Sequence, residues 1–248
     1  MNSIRGVLAR LGIDSRRVSA KQSEPIALHA DDDLRVTRLG DPAASGLFIC
    51  FTGIRQAMGG IGAEEFTGST ALPDFSALFV SDLKRTWYNG FPAERLTDIL
   101  APFCTGKRVV TVGNSMGGFG ALWATTILPV DTAIAFAPQY SLHPELVPGE
   151  TRWREFTEAI THFRYPSLAD AFTTGARIFT INGDDDREHW INFPARPGCE
   201  NVLIRNSGHD PARLIKQSGA LPALLQTCLG GGSALALLRQ AGLDVVRI

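Results

Sequence analysis

Residues 108–128, RVVTVGNSMGGFGALWATTIL, run an apolar strand directly into a glycine-rich turn and that turn directly into a helix. The turn carries Ser115 among Gly113, Gly117, Gly118 and Gly120. A reversal this sharp forces the serine into strained backbone angles and lifts its Oγ above the sheet. Side chains two residues before and two after would collide, so small residues are required there. Ser115 also stands at a helix N-terminus, where free N–H groups and the helix dipole favour negative charge. The amide of Met116 is then placed to bind a developing oxyanion. Two rival glycine motifs fail on spacing. A dinucleotide fingerprint on Gly118 and Gly120 needs a third glycine where Trp123 stands, and a phosphate loop ending at Gly106-Lys107 needs one where Ala101 stands.

The rest of the chain supplies partners for that strand. PIALHA (25–30) and LRVTRL (34–39) read as strands around an acidic turn, Asp31-Asp32-Asp33. GLFICF (46–51) and FSALFVSDL (75–83) are apolar runs suited to strands covered on both faces. TAIAFA (132–137), ARIFTIN (176–182) and NVLIR (201–205) add three more strands. Helices are expected at 92–104, ending early at Pro102, at 117–128, at about 211–226 and near the C-terminus before LDVV. Alternating strands and helices predict an α/β fold with a mostly parallel sheet of about eight strands. In such sheets ligands bind beyond the carboxyl ends of the strands, so residues just after each strand are the informative ones.

A serine hydroxyl needs a base to act as a nucleophile. Of five histidines, His209 alone follows a strand by a short polar turn, Asn206-Ser207-Gly208. His29 lies within a strand, and His143 and His162 fall in the irregular stretch 142–175. The base needs an acid to orient its ring. After ARIFTIN come Gly183 and then Asp184, Asp185 and Asp186, any one of which suits the role. DDDREH also offers metal-type ligands with His189, but no second ligand cluster accompanies it, and no metal is expected. The order serine, aspartate, histidine is one of the three chain orders in which this triad occurs.

Composition narrows the alternatives. Of 248 residues, 44% are hydrophobic and 20% charged, the balance of a folded chain. Twenty-four basic against 25 acidic residues leave a net charge of −1 and no basic stripe, so nucleic acid is not an expected partner. No apolar run reaches the roughly 20 residues of a membrane span. The start, MNSIRGVLARLGID, reads as a short amphipathic helix with Ile4, Val7, Leu8 and Leu11 on one face. An arginine-bearing start also suits a mitochondrial presequence, but a surface helix within a 1–24 extension is the plainer expectation. Cys50, Cys104, Cys199 and Cys228 form no CxxC pair, which fits a reduced cytoplasmic setting. No cofactor motif stands out, and none is expected.

VGNSMGG, INGDDD and RNSGHD together resemble the α/β-hydrolase superfamily, over about Pro25 to Leu229. The resemblance implies a single domain over 25–248 with a small cap at about 142–175. It implies a Ser-His-Asp hydrolase with Ser115 as nucleophile and His209 as base. Members place the acid three residues past the glycine that ends the preceding strand, which ranks Asp186 first, Asp185 second and Asp184 third. It further implies a second oxyanion amide from the loop Phe51-Thr52-Gly53-Ile54, from Ile54 or else Gly53, although the family's usual histidine there is missing. Among the cap aromatics, Trp153, Phe156, Phe163 and Tyr165 suit either an acyl pocket or plain packing. Arg55, Arg85, Trp87 and Tyr88 follow strands and are possible contacts to a small acyl substrate, the arginines to an anionic group. The reaction expected is cleavage of a carboxylic ester or thioester through an acyl-enzyme. An acyltransferase with the same triad, or a non-catalytic accessory protein on the same fold, are the alternatives.

Overall fold

The computed structural model describes residues 24–54 and 64–248. The expected N-terminal helix and Arg55 lie outside the described residues.

Nine strands form one sheet in the order β1-β2-β4-β3-β5-β6-β7-β8-β9. They are β1 (Ile26–Ala30), β2 (Leu34–Leu39), β3 (Gly46–Phe51), β4 (Phe75–Asp82), β5 (Arg108–Asn114), β6 (Thr132–Phe136), β7 (Arg177–Asn182), β8 (Cys199–Ile204) and β9 (Val245–Arg247). From β4 to β8 every pairing is parallel. The edge pairings β1–β2, β2–β4 and β8–β9 are antiparallel. The ninth strand comes from the apolar tail after Leu243, one more than expected.

Period-two alternation divides the core between the two faces. Along β3, Leu47, Ile49 and Phe51 join one cluster, together with helices α1 (Ala93–Cys104) and α2 (Met116–Trp123). Phe48 and Cys50 join the other, with α5 (Pro211–Gln217), α6 (Leu221–Leu229) and α7 (Ala234–Gln240). Two further helices, α3 (Arg154–Thr157) and α4 (Arg187–Trp190), are single turns near the site. Both faces of the parallel strands are therefore covered, as their continuous apolar character requires.

Three helix boundaries differ from the sequence reading. Pro102 does not end α1, which continues to Cys104. The proline forfeits its own bond to the preceding turn, and the helix runs only two residues beyond it. The helix at 117–128 stops at Trp123 and tightens into a 3-10 turn over Ala124–Thr126. The helix expected over 211–226 is two helices. Gly219 adopts φ +75, its N–H reaches Lys216 O and the Ala220 N–H reaches Ile215 O. That is a Schellman termination, with Pro222 near the start of the next helix.

The turn before α2 is as tight as its glycines suggested. A Cβ on Gly113 would lie 2.0 Å from Gly117 O, and one on Gly117 would lie 2.1 Å from Phe51 O. Both obstacles are backbone, so neither yields cheaply. Gly117→Ala is expected to cost about 3 kcal/mol or more, read as a lowered urea midpoint. Gly175→Ala, where an added Cβ meets nothing within 4 Å, should stay within about 0.5 kcal/mol of the parent.

Candidate active site

Ser115 sits at φ +54 and ψ −120 between β5 and α2. Its N–H donates to Phe136 O on the neighbouring strand at 2.8 Å, which ties the strained turn to β6. Two other strand ends converge on it. After β7, Gly183 leads into a 3-10 turn over Asp184–Asp186. After β8, the loop through Gly208 carries His209. These loops touch: a Cβ on Gly183 would lie 1.6 Å from Gly208 O. The Ser207 N–H donates to Asp184 Oδ2 at 3.2 Å, which braces the histidine loop.

The contact brings three side chains into line. Ser115 Oγ is 2.9 Å from His209 Nε2, and His209 Nδ1 is 2.6 Å from Asp186 Oδ1. Asp186 is 1% exposed, whereas Asp184 and Asp185 face solvent. Of the three adjacent aspartates, Asp186 reaches the imidazole and Asp184 holds the loop.

Three residues that sequence reasoning passed over join this line. Gln139 is fully buried and its Nε2 donates to Ser115 Oγ at 3.1 Å. It lies three residues past β6, so the strand-end rule pointed there, but a glutamine carries no signature of its own. Arg152 Nη1 donates to Asp186 Oδ1 at 3.0 Å, a charge-assisted bond that fixes the carboxylate beside the imidazole. Glu150 grips the same guanidinium through Nε at 3.0 and 3.1 Å, and also accepts from His189 at 2.8 Å. Burial pushes the Glu150 carboxyl up, but the His189 and Arg152 hydrogen bonds outweigh it and hold it at about 2. Nothing in the spacing of the 142–175 stretch marked this pair.

Within the 142–175 stretch, Trp153 lies against the imidazole, with its ring centroid 5.3 Å from that of His209. Tyr165 packs on Trp123 at 4.4 Å and Phe163 on His143 at 5.0 Å. The Arg85 guanidinium lies 5.7 Å from the Phe156 ring centroid, and its Nε donates to Ile54 O at 3.1 Å.

Trp87 and Tyr88 depart from the expectation of substrate contacts, because both side chains are wholly buried. Tyr88 stacks on Trp123 and meets Phe51 edge-on, with its hydroxyl donating to Thr52 O at 3.3 Å. Trp87 Nε1 donates to Gln139 Oε1 at 2.9 Å.

On the loop after β3, the Gly53 N–H donates to Glu65 Oε2 at 3.3 Å. Burial pushes the Glu65 carboxyl up to about 7 from 4.5, with the Gly53 bond pulling the other way. The folded chain therefore holds this proton more tightly than the unfolded one. The stability it contributes is complete below about 4.5 and is lost as pH rises through about 7. Glu65→Gln should raise the urea midpoint at about pH 8 and leave it nearly unchanged at about pH 4. Equal effects at both pH values would contradict this.

Among the described residues, no group of three or more His, Cys, Asp and Glu side chains is placed to hold a metal ion. No described helix is long and apolar enough to cross a membrane. A surface depression of about 450 Å³, lined by Pro197, Cys199, Asn201, Arg247 and Ile248 among others, lies at the amino end of β8, away from Ser115.

The strand order, the strained turn and the converging loops are those of an α/β-hydrolase fold, and solved structures agree. The capsule O-acetyltransferase of Neisseria meningitidis serogroup A is 14% identical with a TM-score of 0.53, over 80% of this chain and 92% of that one. Est1E from Butyrivibrio proteoclasticus is 12% identical with a TM-score of 0.51, over 84% of this chain and 100% of that one. The esterase domain of a Rhodothermus marinus protein is 12% identical with a TM-score of 0.54, over 83% of this chain and 98% of that one. At such identities the likeness is one of fold. No protein-family model matches the sequence, and no curated protein matches it.

Proposed function

We propose that the protein is a serine hydrolase that cleaves a carboxylic ester or thioester through an acyl-enzyme on Ser115. The observation that carries this reading is the unbroken hydrogen-bonded line from Ser115 Oγ through His209 to Asp186, at 2.9 and 2.6 Å. Ser115 Oγ attacks the acyl carbon while its proton passes to His209 Nε2. The carbonyl electron pair moves to oxygen, and the amides of Met116 and Ile54 receive that charge. Collapse breaks the bond to the leaving group, which takes the proton from His209. Water then attacks the acyl-enzyme with His209 again as base, and Ser115 leaves with its proton restored. Asp186, held by Arg152, keeps the imidazole oriented and stabilises its charged form.

The test is p-nitrophenyl acetate. Release of nitrophenolate, with an acetyl group transiently on the peptide containing Ser115 by mass spectrometry, is the expected result. Acetylation confined to other residues would sink it. Likeness to a capsule O-acetyltransferase favours a second reading, in which a hydroxyl acceptor replaces water in the last step. Both readings share the acyl-enzyme, so the products formed with added sugar acceptors separate them.

A further inference from the structure

β4 ends at Asp82, and the turn after it is strained. Arg85, Trp87 and Tyr88 adopt φ of +56, +51 and +62, a region that side chains other than glycine rarely occupy. Such angles persist only when the surroundings over-determine them, and they cluster at functional sites. Here the buried Asp82 carboxylate fixes the turn. It accepts from the amides of Lys84 at 3.2 Å, Thr86 at 2.7 Å and Tyr88 at 2.9 Å, and from the Thr86 hydroxyl at 3.0 Å. The result of this bracing is the position of one group, the indole N–H of Trp87, against Gln139.

That contact decides the orientation of the glutamine. An indole nitrogen only donates, so it must face the amide oxygen. The amide nitrogen therefore faces Ser115 Oγ at 3.1 Å, and lies 3.5 Å from His209 Nε2. Because Oγ accepts from Gln139, its own proton is directed to His209 Nε2. The imidazole proton is then on Nδ1, donated to Asp186. A single buried indole thus sets the direction of every proton in the line.

We propose that Gln139 is a catalytic residue: its N–H binds Ser115 Oγ and stabilises the charge on that oxygen, with the strained turn after β4 serving to hold the amide through Trp87. The inference rests on the acyl-enzyme reading of Ser115. The charge concerned differs from that on the carbonyl oxygen. In acylation, Oγ carries its charge as the O–H bond breaks toward His209 and before the bond to the acyl carbon is complete. In deacylation, Oγ carries it again as the bond to the acyl carbon breaks, before His209 returns the proton. A donor fixed on Oγ lowers both barriers and leaves substrate binding alone.

Two variants and a double variant test it, with p-nitrophenyl acetate turnover and the rate of labelling by a fluorophosphonate probe as readouts. Gln139→Met removes the donor at similar volume. It should lower kcat about 10- to 100-fold and slow labelling by a similar factor, with KM changed less than about twofold. Trp87→Phe keeps a ring and removes the N–H, which frees the amide to turn. Its loss should be smaller, about three- to tenfold, and Trp87→Phe added to Gln139→Met should cost nothing further. A purely packing role would give losses in thermal stability that add and would leave labelling rates unmoved in folded protein. Gln139→Met with kcat and labelling within twofold of the parent would overturn the proposal. So would additive losses in the double variant. If Gln139→Met does not fold, a Trp87→Phe that matches the parent in kcat and labelling overturns it as well. Failure of the parent itself to label at Ser115 would instead bring down the acyl-enzyme reading.

Discussion

Ser115→Ala is expected to abolish ester turnover, with a fall in kcat of at least about 10⁴-fold, while the protein stays folded. The size follows from what is lost. Among the described residues no other hydroxyl sits on the His209 imidazole, so its removal leaves the base with nothing to deprotonate but water. The remaining donors still bind a polarised carbonyl, which accounts for residual rates above background in triads of this kind. Stability should move little, because the change deletes one oxygen from a side chain that is 4% exposed and adds no atom near the crowded glycines. The deleted oxygen does leave Gln139 and His209 each without one partner, so a shift of about 1–2 kcal/mol in either direction is within expectation. Retention of more than about a hundredth of the parent's turnover, in protein freed of contaminating esterases, would mean that the acyl group is carried elsewhere.

The elements that place Ser115 were readable because each has a local cause. The apolar runs become buried strands since both faces of a parallel sheet are covered, and their order along the chain carries the helices between them. The glycines at 113 and 117 were legible as steric demands of a sharp turn. His209 was legible because it follows a strand by three small or polar residues. Asp186 was harder. The three aspartates share one composition and differ only in direction, which depends on how the 3-10 turn after Gly183 meets the loop at Gly208. The resemblance to a known superfamily ranked them, and the residues alone did not. Gln139 stood at a strand end but carried no signature, and Arg152 and Glu150 were invisible for a related reason. Their roles arise from long-range contacts, with no periodicity or motif behind them. Trp87 and Tyr88 were expected as substrate contacts since they follow a strand, but both side chains are buried beyond a turn whose positive φ values sequence spacing does not reveal.

Asp186→Asn is expected to lower kcat by about 10³- to 10⁴-fold with little change in KM. An asparagine keeps the volume and nearly the shape of the carboxylate, so the effect is electronic. The imidazole ring donates through Nδ1 to Asp186 Oδ1 at 2.6 Å. If the amide NH₂ turns toward the ring, Nδ1 becomes an acceptor and the proton moves to Nε2, where it meets Ser115 and the base is blocked. If the amide oxygen faces the ring, the tautomer survives but the negative charge that stabilises the imidazolium is gone. Arg152 makes the second case worse, because its cation at 3.0 Å would then face the imidazolium with only Glu150 to offset it. The neighbouring substitutions are the controls. Asp184→Asn still offers an oxygen to the Ser207 N–H, so kcat should fall less than about tenfold. Asp185 is exposed, and Asp185→Asn should be close to neutral. All three are read by kcat and by fluorophosphonate labelling rate on folded protein. If Asp184→Asn or Asp185→Asn shows the larger loss, the acid is misassigned and the line through His209 must end on a different carboxylate.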